Sequence, residues 1–238
     1  MNETVESMLE FARGPLFRFT FALMVLGLAR LVLLTVYGVV RTYILAGDKR
    51  LFWPVIRQRT LWTLFPFSRL HRTRASYSIL SFAFHVGLII VPIFLFAHVH
   101  LWQRGIGISW PALPPLAADV LTILTIFAAL ALFSLRAASS LSRTLSRAQD
   151  YAWPLLLILV FVSGFLASHP PWCPVDYRVM LLVHILSAEL IFVLMPFSKI
   201  AHCVLIPFSQ LVSDLGWHFP ATAGKDVCRA LGKESTPV

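Results

Sequence analysis

The chain has 238 residues, of which 58% are hydrophobic and only 13% are charged, and its mean hydropathy is +0.78. A soluble domain carries about a quarter charged residues, so this composition excludes a soluble protein and predicts an integral membrane protein. The net charge of +9 does not indicate nucleic acid as a partner. Membrane proteins concentrate basic residues in cytoplasmic loops, and we expect membrane lipid around this chain instead.

The cysteines and the chain ends carry little further signal. The three cysteines have no CxxC or CxxCH spacing, which argues against a c-type haem, an iron–sulfur cluster or a structural zinc in this chain. The start, MNETVESMLEFARG, is acidic and lacks the basic region and cleavage site of a signal peptide. We expect the short tail at residues 234–238 to be disordered.

Five apolar stretches are long enough to span a membrane, and they predict an all-α protein with a single membrane domain of five transmembrane helices. The stretches cover about residues 15–40, 77–101, 117–135, 151–167 and 177–205. Basic residues are dense in the loop 41–76, after the third stretch and in the tail, whereas the other two loops hold only Arg104 and Arg178. This asymmetry predicts an outside N-terminus and a cytoplasmic C-terminus in a bacterial or archaeal cytoplasmic membrane.

The loop 41–76 alternates arginines with tryptophan, leucine and phenylalanine. One interpretation is an amphipathic helix that lies in the membrane interface, with its arginines at anionic lipid headgroups. The other is a docking surface for a cytoplasmic redox subunit. The sequence leaves both interpretations open, and the two are compatible.

Histidines His184 and His202 stand eighteen residues apart on the fifth stretch. On one continuous helix they would share a face and lie ~27 Å apart, close to the thickness of the hydrocarbon core. Histidine inside a membrane is costly, so this pair suggests ligands of two stacked redox centres. The alternative is that each imidazole forms a hydrogen bond to a neighbouring helix.

The second stretch carries His85, His98 and His100, at depths that match the two histidines of the fifth. Two imidazoles that face each other can ligate a haem iron, so His85 pairs with His202 and an outer histidine pairs with His184. A straight helix favours His100, about 60° from the face of His85 against about 140° for His98. Because Pro92 should kink the helix, we predict His98, with His100 as the alternative. Gly87 could make room for a flat macrocycle.

Four further residues are candidates for roles beside these histidines. Arg30, inside the first stretch, either contacts a haem propionate, snorkels to the interface or pairs with Glu189. Glu189 could relay a proton, and His169 or Asp119 could form a hydrogen bond to a quinone ring oxygen. The alternative for Glu189 is a structural ion pair or cap, and for His169 an ordinary loop position.

The fifth stretch, H184-ILSAELIFVLM-PFSK-IAH202, resembles the haem-bearing end of the gamma subunit of respiratory nitrate reductase. The run Phe84-His85-Val86-Gly87 is similar to the inner-haem motif of that family. The spacing of thirteen from His85 to His98, and the run PIFLFAH98, look more like the membrane cytochromes b of sulfate reducers and of heterodisulfide-reductase-type complexes. Where the nitrate reductase subunit has a lysine near its third span, this chain reads LPPLAADV and offers Asp119.

The resemblance implies a dihaem cytochrome b, an electron-transfer subunit of a respiratory quinone oxidoreductase rather than a complete enzyme. It implies two b-type haems, menaquinone or ubiquinone near the outer haem, and a cytoplasmic iron–sulfur subunit as partner; a periplasmic multihaem cytochrome c is a further possible partner. The competing hypothesis is a haem-free membrane anchor or proton-coupled transporter subunit, with structural or proton-carrying histidines.

Overall fold

The computed structural model describes residues 2–64 and 75–234, and within these ranges the chain is helical, with no strand beyond one isolated bridge between Ala46 and Pro220. Short π and 3₁₀ segments join or extend several of the helices. The helices are α1 (Asn2–Phe11), α2 (Phe17–Leu45), α3 (Trp53–Leu64), α4 (Ala75–Phe94), α5 (Phe96–Ile106), α6 (Pro115–Ala138), α7 (Ser140–Leu145), α8 (Gln149–Ser168), α9 (Tyr177–Leu194), α10 (His202–Leu215) and α11 (Ala223–Ala230).

Five helical segments are long and apolar enough to cross a membrane, which confirms the prediction of a multi-pass, all-α membrane protein. The first is longer than expected, because α1 and α2 are joined through a π-helical turn at Ala12–Leu16. Large apolar side chains point outward from these helices; Leu26 is 70% exposed and Phe127 is 66% exposed. Lipid is the solvent that such surfaces require. The segments are Glu3–Leu45, Ala75–Phe94, Pro115–Ala138, Gln149–Ser168 and Tyr177–Phe197.

The chain divides into two compact units. Unit 1 comprises the described residues of Met1–Phe21 and Ser68–Val193, and unit 2 those of Ala22–Phe67 and Leu194–Val238. The described part of the basic loop 41–76 contains helix α3, whereas residues 65–74 lie outside the described ranges. Of the tail at residues 234–238, which was predicted to be disordered, only residue 234 lies within the described ranges.

Small residues bring the helices of unit 1 close together. Helix α6 buries alanines and threonines along its length and packs against α4 and α8, as small side chains allow in membrane helices. At the crossing with α4, Gly87 lies against Thr125, and a Cβ at this glycine would overlap the threonine side chain. The space beside Gly87 is therefore filled by helix packing, and the expectation that it makes room for a macrocycle is wrong.

The second stretch is broken rather than only kinked. Helix α4 ends at Phe94, Leu95 is extended (φ −66°, ψ 131°), and α5 begins at Phe96. Pro92 has no N–H for the preceding turn, and the helix ends two residues later. A break inside a membrane requires new partners for the freed carbonyl groups. The Pro92 oxygen lies 3.0 Å from Nδ1 of His98, the Ile93 oxygen accepts from the Trp110 indole at 2.8 Å, and the Phe94 oxygen accepts from the Leu113 backbone at 2.8 Å.

The fifth stretch is also interrupted, so the prediction of one helix through residue 205 is wrong. Helix α9 ends at Leu194, a 3₁₀ turn follows, and Ser198 is extended (φ −132°, ψ 177°) before α10 begins at His202. Pro196 explains the end of α9, because it has no N–H to continue the helical hydrogen bonds. His184 and His202 therefore lie on different helices, in units 1 and 2 respectively, and the shared-face argument does not apply.

Unit 2 joins the chain that follows α2 to the chain that follows α10. Ala46 bridges Pro220, the Gly47 N–H donates to the Phe219 oxygen at 2.9 Å, and helix α3 packs against α10. Within the same unit, α2 approaches the Pro196 turn at Gly27. A Cβ at Gly27 would lie 2.6 Å from the Cβ and Cγ atoms of Pro196, and the rigid ring has no rotamer that avoids it.

We therefore expect Gly27→Ala to destabilise the protein by about 1–3 kcal/mol through overpacking against Pro196. Its apparent melting temperature in detergent should fall. Gly38→Ala is the matched control. Gly38 lies on the same helix, and among the described residues no atom outside that helix's own backbone lies within 4 Å of a Cβ added there. An equal response of the two variants would contradict this contact.

Candidate functional site

Two histidine rings face each other in unit 1. The imidazoles of His98 on α5 and His184 on α9 are parallel to within 5°, and their ring centroids are 6.1 Å apart. Both residues are partly buried. The structure thus brings together two of the histidines that the sequence singled out.

Helix α8 holds the His184 ring. Its Nδ1 lies 2.9 Å from the Val160 oxygen and 3.5 Å from the Ser163 hydroxyl oxygen. The ring reaches this carbonyl because Gly164, one helical turn after Val160, has no side chain. A Cβ at Gly164 would lie 2.8 Å from Cε1 of His184. This glycine therefore forms a cradle for the imidazole.

The break in the second stretch holds the His98 ring through Nδ1 and the Pro92 oxygen. In both rings Nδ1 faces a carbonyl oxygen, which only accepts hydrogen bonds, so we assign the proton to Nδ1. The lone pair then lies on Nε2. A metal-binding histidine commonly has this arrangement, with one nitrogen anchored to a carbonyl and the other directed to the metal.

The centroid distance of the two rings matches the distance expected for two imidazoles that hold one iron ion through Nε2. A metal–nitrogen bond of about 2 Å on each side would put the ring centroids of two opposed imidazoles about 6 Å apart. The observed separation is 6.1 Å. Within the described ranges, no three His, Cys, Asp or Glu side chains converge as they would around a bare metal ion. A pair of imidazoles nevertheless suffices for a haem, because the porphyrin supplies the other four ligands.

The other predicted haem ligands lie apart from this pair or in the other unit. His100 is exposed and stacks on Phe96 at 6.1 Å, rather than on His184. His85 has Nδ1 2.6 Å from the Ser81 oxygen, and His202 has Nδ1 2.7 Å from the Lys199 oxygen; both are exposed. His85 and Glu189 belong to unit 1, whereas His202 and Arg30 belong to unit 2. Arg30 is exposed on α2.

Glu189 is buried in the membrane span α9, five residues beyond His184 and so about 7.5 Å further along the helix axis. Its exposed fraction is only 3%, and the described residues give neither carboxylate oxygen a hydrogen-bond partner. An unpaired buried carboxyl group is costly, and it indicates a functional role more strongly than a structural one.

Asp119 and His169 come together at the end of unit 1 where α6 begins and α8 ends. Nε2 of His169 lies 3.3 Å from Oδ2 of Asp119, and its Nδ1 lies 2.9 Å from the Phe165 oxygen. The imidazole stacks on Phe165 at 4.3 Å and on Trp172 at 5.3 Å. The two residues that the sequence offered as alternatives for one role thus form a single aromatic-walled pair.

Sequence reasoning missed the groups that orient the rings. Val160 and Gly164 contact His184, and Trp110 satisfies a carbonyl group at the break. A backbone carbonyl has no sequence signal. The Ser163-Gly164 step in the apolar stretch VFVSGFLAS marked a position of close approach, but small residues are common in membrane helices.

Comparison with known proteins yields one relative. The chain is 34% identical, over 154 residues, to a protein of Nitratidesulfovibrio vulgaris (strain Hildenborough) that carries no more specific name than "Protein". The match covers 64% of this chain and 67% of that protein, so the two belong to one family. No family model matches the chain. No solved structure matches it either.

Proposed function

We propose that this chain, a member of the same family as the Nitratidesulfovibrio vulgaris protein, is a dihaem cytochrome b subunit of a respiratory complex. It would carry electrons between quinone near the outer membrane face and a cytoplasmic iron–sulfur subunit. The pair His98 and His184 carries the proposal, because its ring separation and anchored Nδ1 atoms fit two imidazoles that would hold one iron through Nε2. The resemblance to dihaem membrane cytochromes b supports the same assignment.

Each residue around the pair has a defined task. His98 and His184 would hold the iron through Nε2, while the Pro92 and Val160 carbonyl groups fix the ring orientations. Gly164 leaves space for the second ring. Haem, when bound, supplies one-electron redox chemistry. The chain itself contributes rigid ligands, and rigidity limits the reorganisation that accompanies electron transfer.

The assignment of the second haem to His85 and His202 rests on the sequence, as does a role for Arg30 at a propionate. The asymmetry of basic residues supports an outside N-terminus and a cytoplasmic C-terminus. This orientation puts His98 and His184 towards the outside. A periplasmic multihaem cytochrome c remains a further candidate partner.

The pair Asp119–His169 is our candidate for accepting a proton from quinol, whose oxidation releases two electrons and two protons. Nδ1 of His169 lies against the Phe165 oxygen, so Nε2 is the ring nitrogen that lies against Oδ2 of Asp119. Imidazole and carboxylate groups are common proton acceptors in enzymes. Glu189, buried without a hydrogen-bond partner among the described residues, is the candidate for a relay within the span.

A second candidate function is a haem-free proton-coupled transporter subunit. The buried, unpaired carboxyl group of Glu189 favours it, because acidic groups inside membrane bundles frequently mark proton pathways. In that case the histidines would carry protons or hold helices together. The two functions differ in whether quinol can reduce a chromophore bound to the chain.

Quinol-driven haem reduction in proteoliposomes tests the proposed function. We expect menaquinol to reduce the chain-bound haem rapidly, and Asp119→Asn to slow this reduction by about 100-fold, as expected when a proton acceptor is lost. The haem content of the variant should be unchanged. Asp176→Asn is the matched control, since the Asp176 carboxylate accepts a hydrogen bond from the Arg178 backbone and is not part of the Asp119–His169 pair. A bound haem that quinol does not reduce would contradict quinone as the electron donor.

A further inference from the structure

Unit 2 contains a cavity of about 70 Å³ between α3 and the end of α10. That volume holds roughly five water molecules, enough for a small polar group. Its wall combines apolar side chains of α3 with a tryptophan, an arginine, an aspartate, an amide and a hydroxyl group. The residues with these functional groups are Trp217, Arg59, Asp214, Gln210 and Ser213.

The cavity offers both signs of charge. Arg59 is exposed on α3 and provides up to five N–H donors. Asp214 on α10 also lines the cavity, and its Oδ2 atom is buried with no hydrogen-bond partner among the residues that the structure describes. Nε2 of His218 is 3.8 Å from that oxygen, too far for a hydrogen bond. A buried acceptor without a donor is a strong reason to expect a ligand that donates.

The cavity lies beside the segment that follows the membrane-crossing helix α2. The segment that follows Trp217 is tied to the segment that follows the membrane-crossing helix α2: Nδ1 of His218 lies 2.7 Å from the Asp48 oxygen, and Gly47 donates to Phe219. Trp217 is 78% exposed and Phe219 is 63% exposed. Exposed aromatic residues at the end of a membrane span are typical of the headgroup region.

We propose that this cavity binds the head group of a zwitterionic phospholipid that bears a phosphate and a primary ammonium group. The phosphate pairs with the Arg59 guanidinium, and the ammonium donates to the unpartnered oxygen of Asp214. An anionic head group without an amine would bring negative charge against Asp214. A quaternary choline head group has no N–H to donate. Phosphatidylethanolamine is the probe with the required chemistry.

Native mass spectrometry of the detergent-purified full chain tests the proposal with phosphatidylethanolamine, phosphatidylcholine and phosphatidylglycerol of equal acyl length. We expect phosphatidylethanolamine to bind about tenfold more tightly than phosphatidylcholine, the equivalent of one charge-assisted hydrogen bond. Asp214→Asn should abolish this preference. Arg59→Gln, a change on an exposed helix face, should weaken the binding of all three lipids.

Arg57→Gln is the matched control, because Arg57 lies on the same helix and does not line the cavity. It should leave the lipid preference unchanged. Soluble phosphoethanolamine separates a lipid from a free metabolite: much weaker binding supports a membrane ligand, and binding as tight as that of the lipid would overturn it. Equal affinity of the native chain for phosphatidylethanolamine and phosphatidylcholine would also overturn the proposal. Neither result depends on haem, so the test is independent of the electron-carrier function.

Discussion

The purified His184→Ala chain is expected to contain one b-type haem instead of two, because alanine removes one of the two imidazoles proposed to hold the outer iron. His98→Ala should cause the same loss. The double variant should lose no more than either single variant, since both changes remove the same centre and are therefore not additive. Haem is counted per chain from the pyridine haemochrome spectrum.

His100→Ala is the matched control for this loss. His100 is two residues from His98, but its ring stacks on Phe96 rather than on His184. The variant should retain both haems. Loss of haem from His100→Ala, with full occupancy in His98→Ala, would show that the ligand assignment is wrong.

The second large effect is expected from Gly164→Val, a substitution at a residue that is not itself a proposed iron ligand. A side chain at Gly164 would occupy the position of the His184 ring, since an added Cβ would lie 2.8 Å from the Cε1 atom of that ring. The ring should lose its bond to the Val160 oxygen, and the outer haem should be lost or weakly held. Two haems at full occupancy in this variant would contradict the claim that Gly164 leaves room for the His184 ring.

Gly38→Val separates this effect from the general cost of a β-branched residue in a membrane helix. Among the described residues, no atom outside the backbone of its own helix lies within 4 Å of a Cβ added at Gly38. We expect this control to keep both haems. Circular dichroism of the two variants should show the same helix content, so that the loss of haem is assigned to the site and not to unfolding.

The apolar stretches were sufficient to predict five membrane helices, because chain length and hydropathy decide whether a helix can cross a bilayer. The break at Leu95 was only partly predictable. Pro92 indicated a kink and so favoured His98 over His100, but the capture of the freed carbonyl groups by Trp110 and Leu113 depends on tertiary contacts. Such contacts have no local sequence pattern.

The fifth stretch shows where periodicity arguments fail. The spacing of eighteen between His184 and His202 predicts a shared face only if the helix is continuous. Pro196 is the signal in the sequence that the helix is not continuous. In the structure α9 ends at Leu194, and the chain passes through an extended residue before α10 begins. By contrast, Asp119 and His169 were each recognised as polar residues near one face, although their pairing could not be foreseen.

The interpretation of the loop 41–76 was also incomplete. Its described part forms α3, but the apolar and polar residues of α3 are not separated onto two faces, and its contact with α10 has no sequence signal. Residues that lie so far apart along the chain rarely reveal their contact in a single sequence. The cavity between these two helices is therefore a feature that only the structure could provide.

The central claim is that the facing imidazoles of His98 and His184 hold one haem, in a chain that holds two. The most direct test is the reduced-minus-oxidised optical spectrum of the purified chain, combined with a haem count per protein. The account predicts b-type absorption bands and two haems per chain, falling to one when His98 is replaced by alanine. A purified, folded chain that binds no haem would contradict the account.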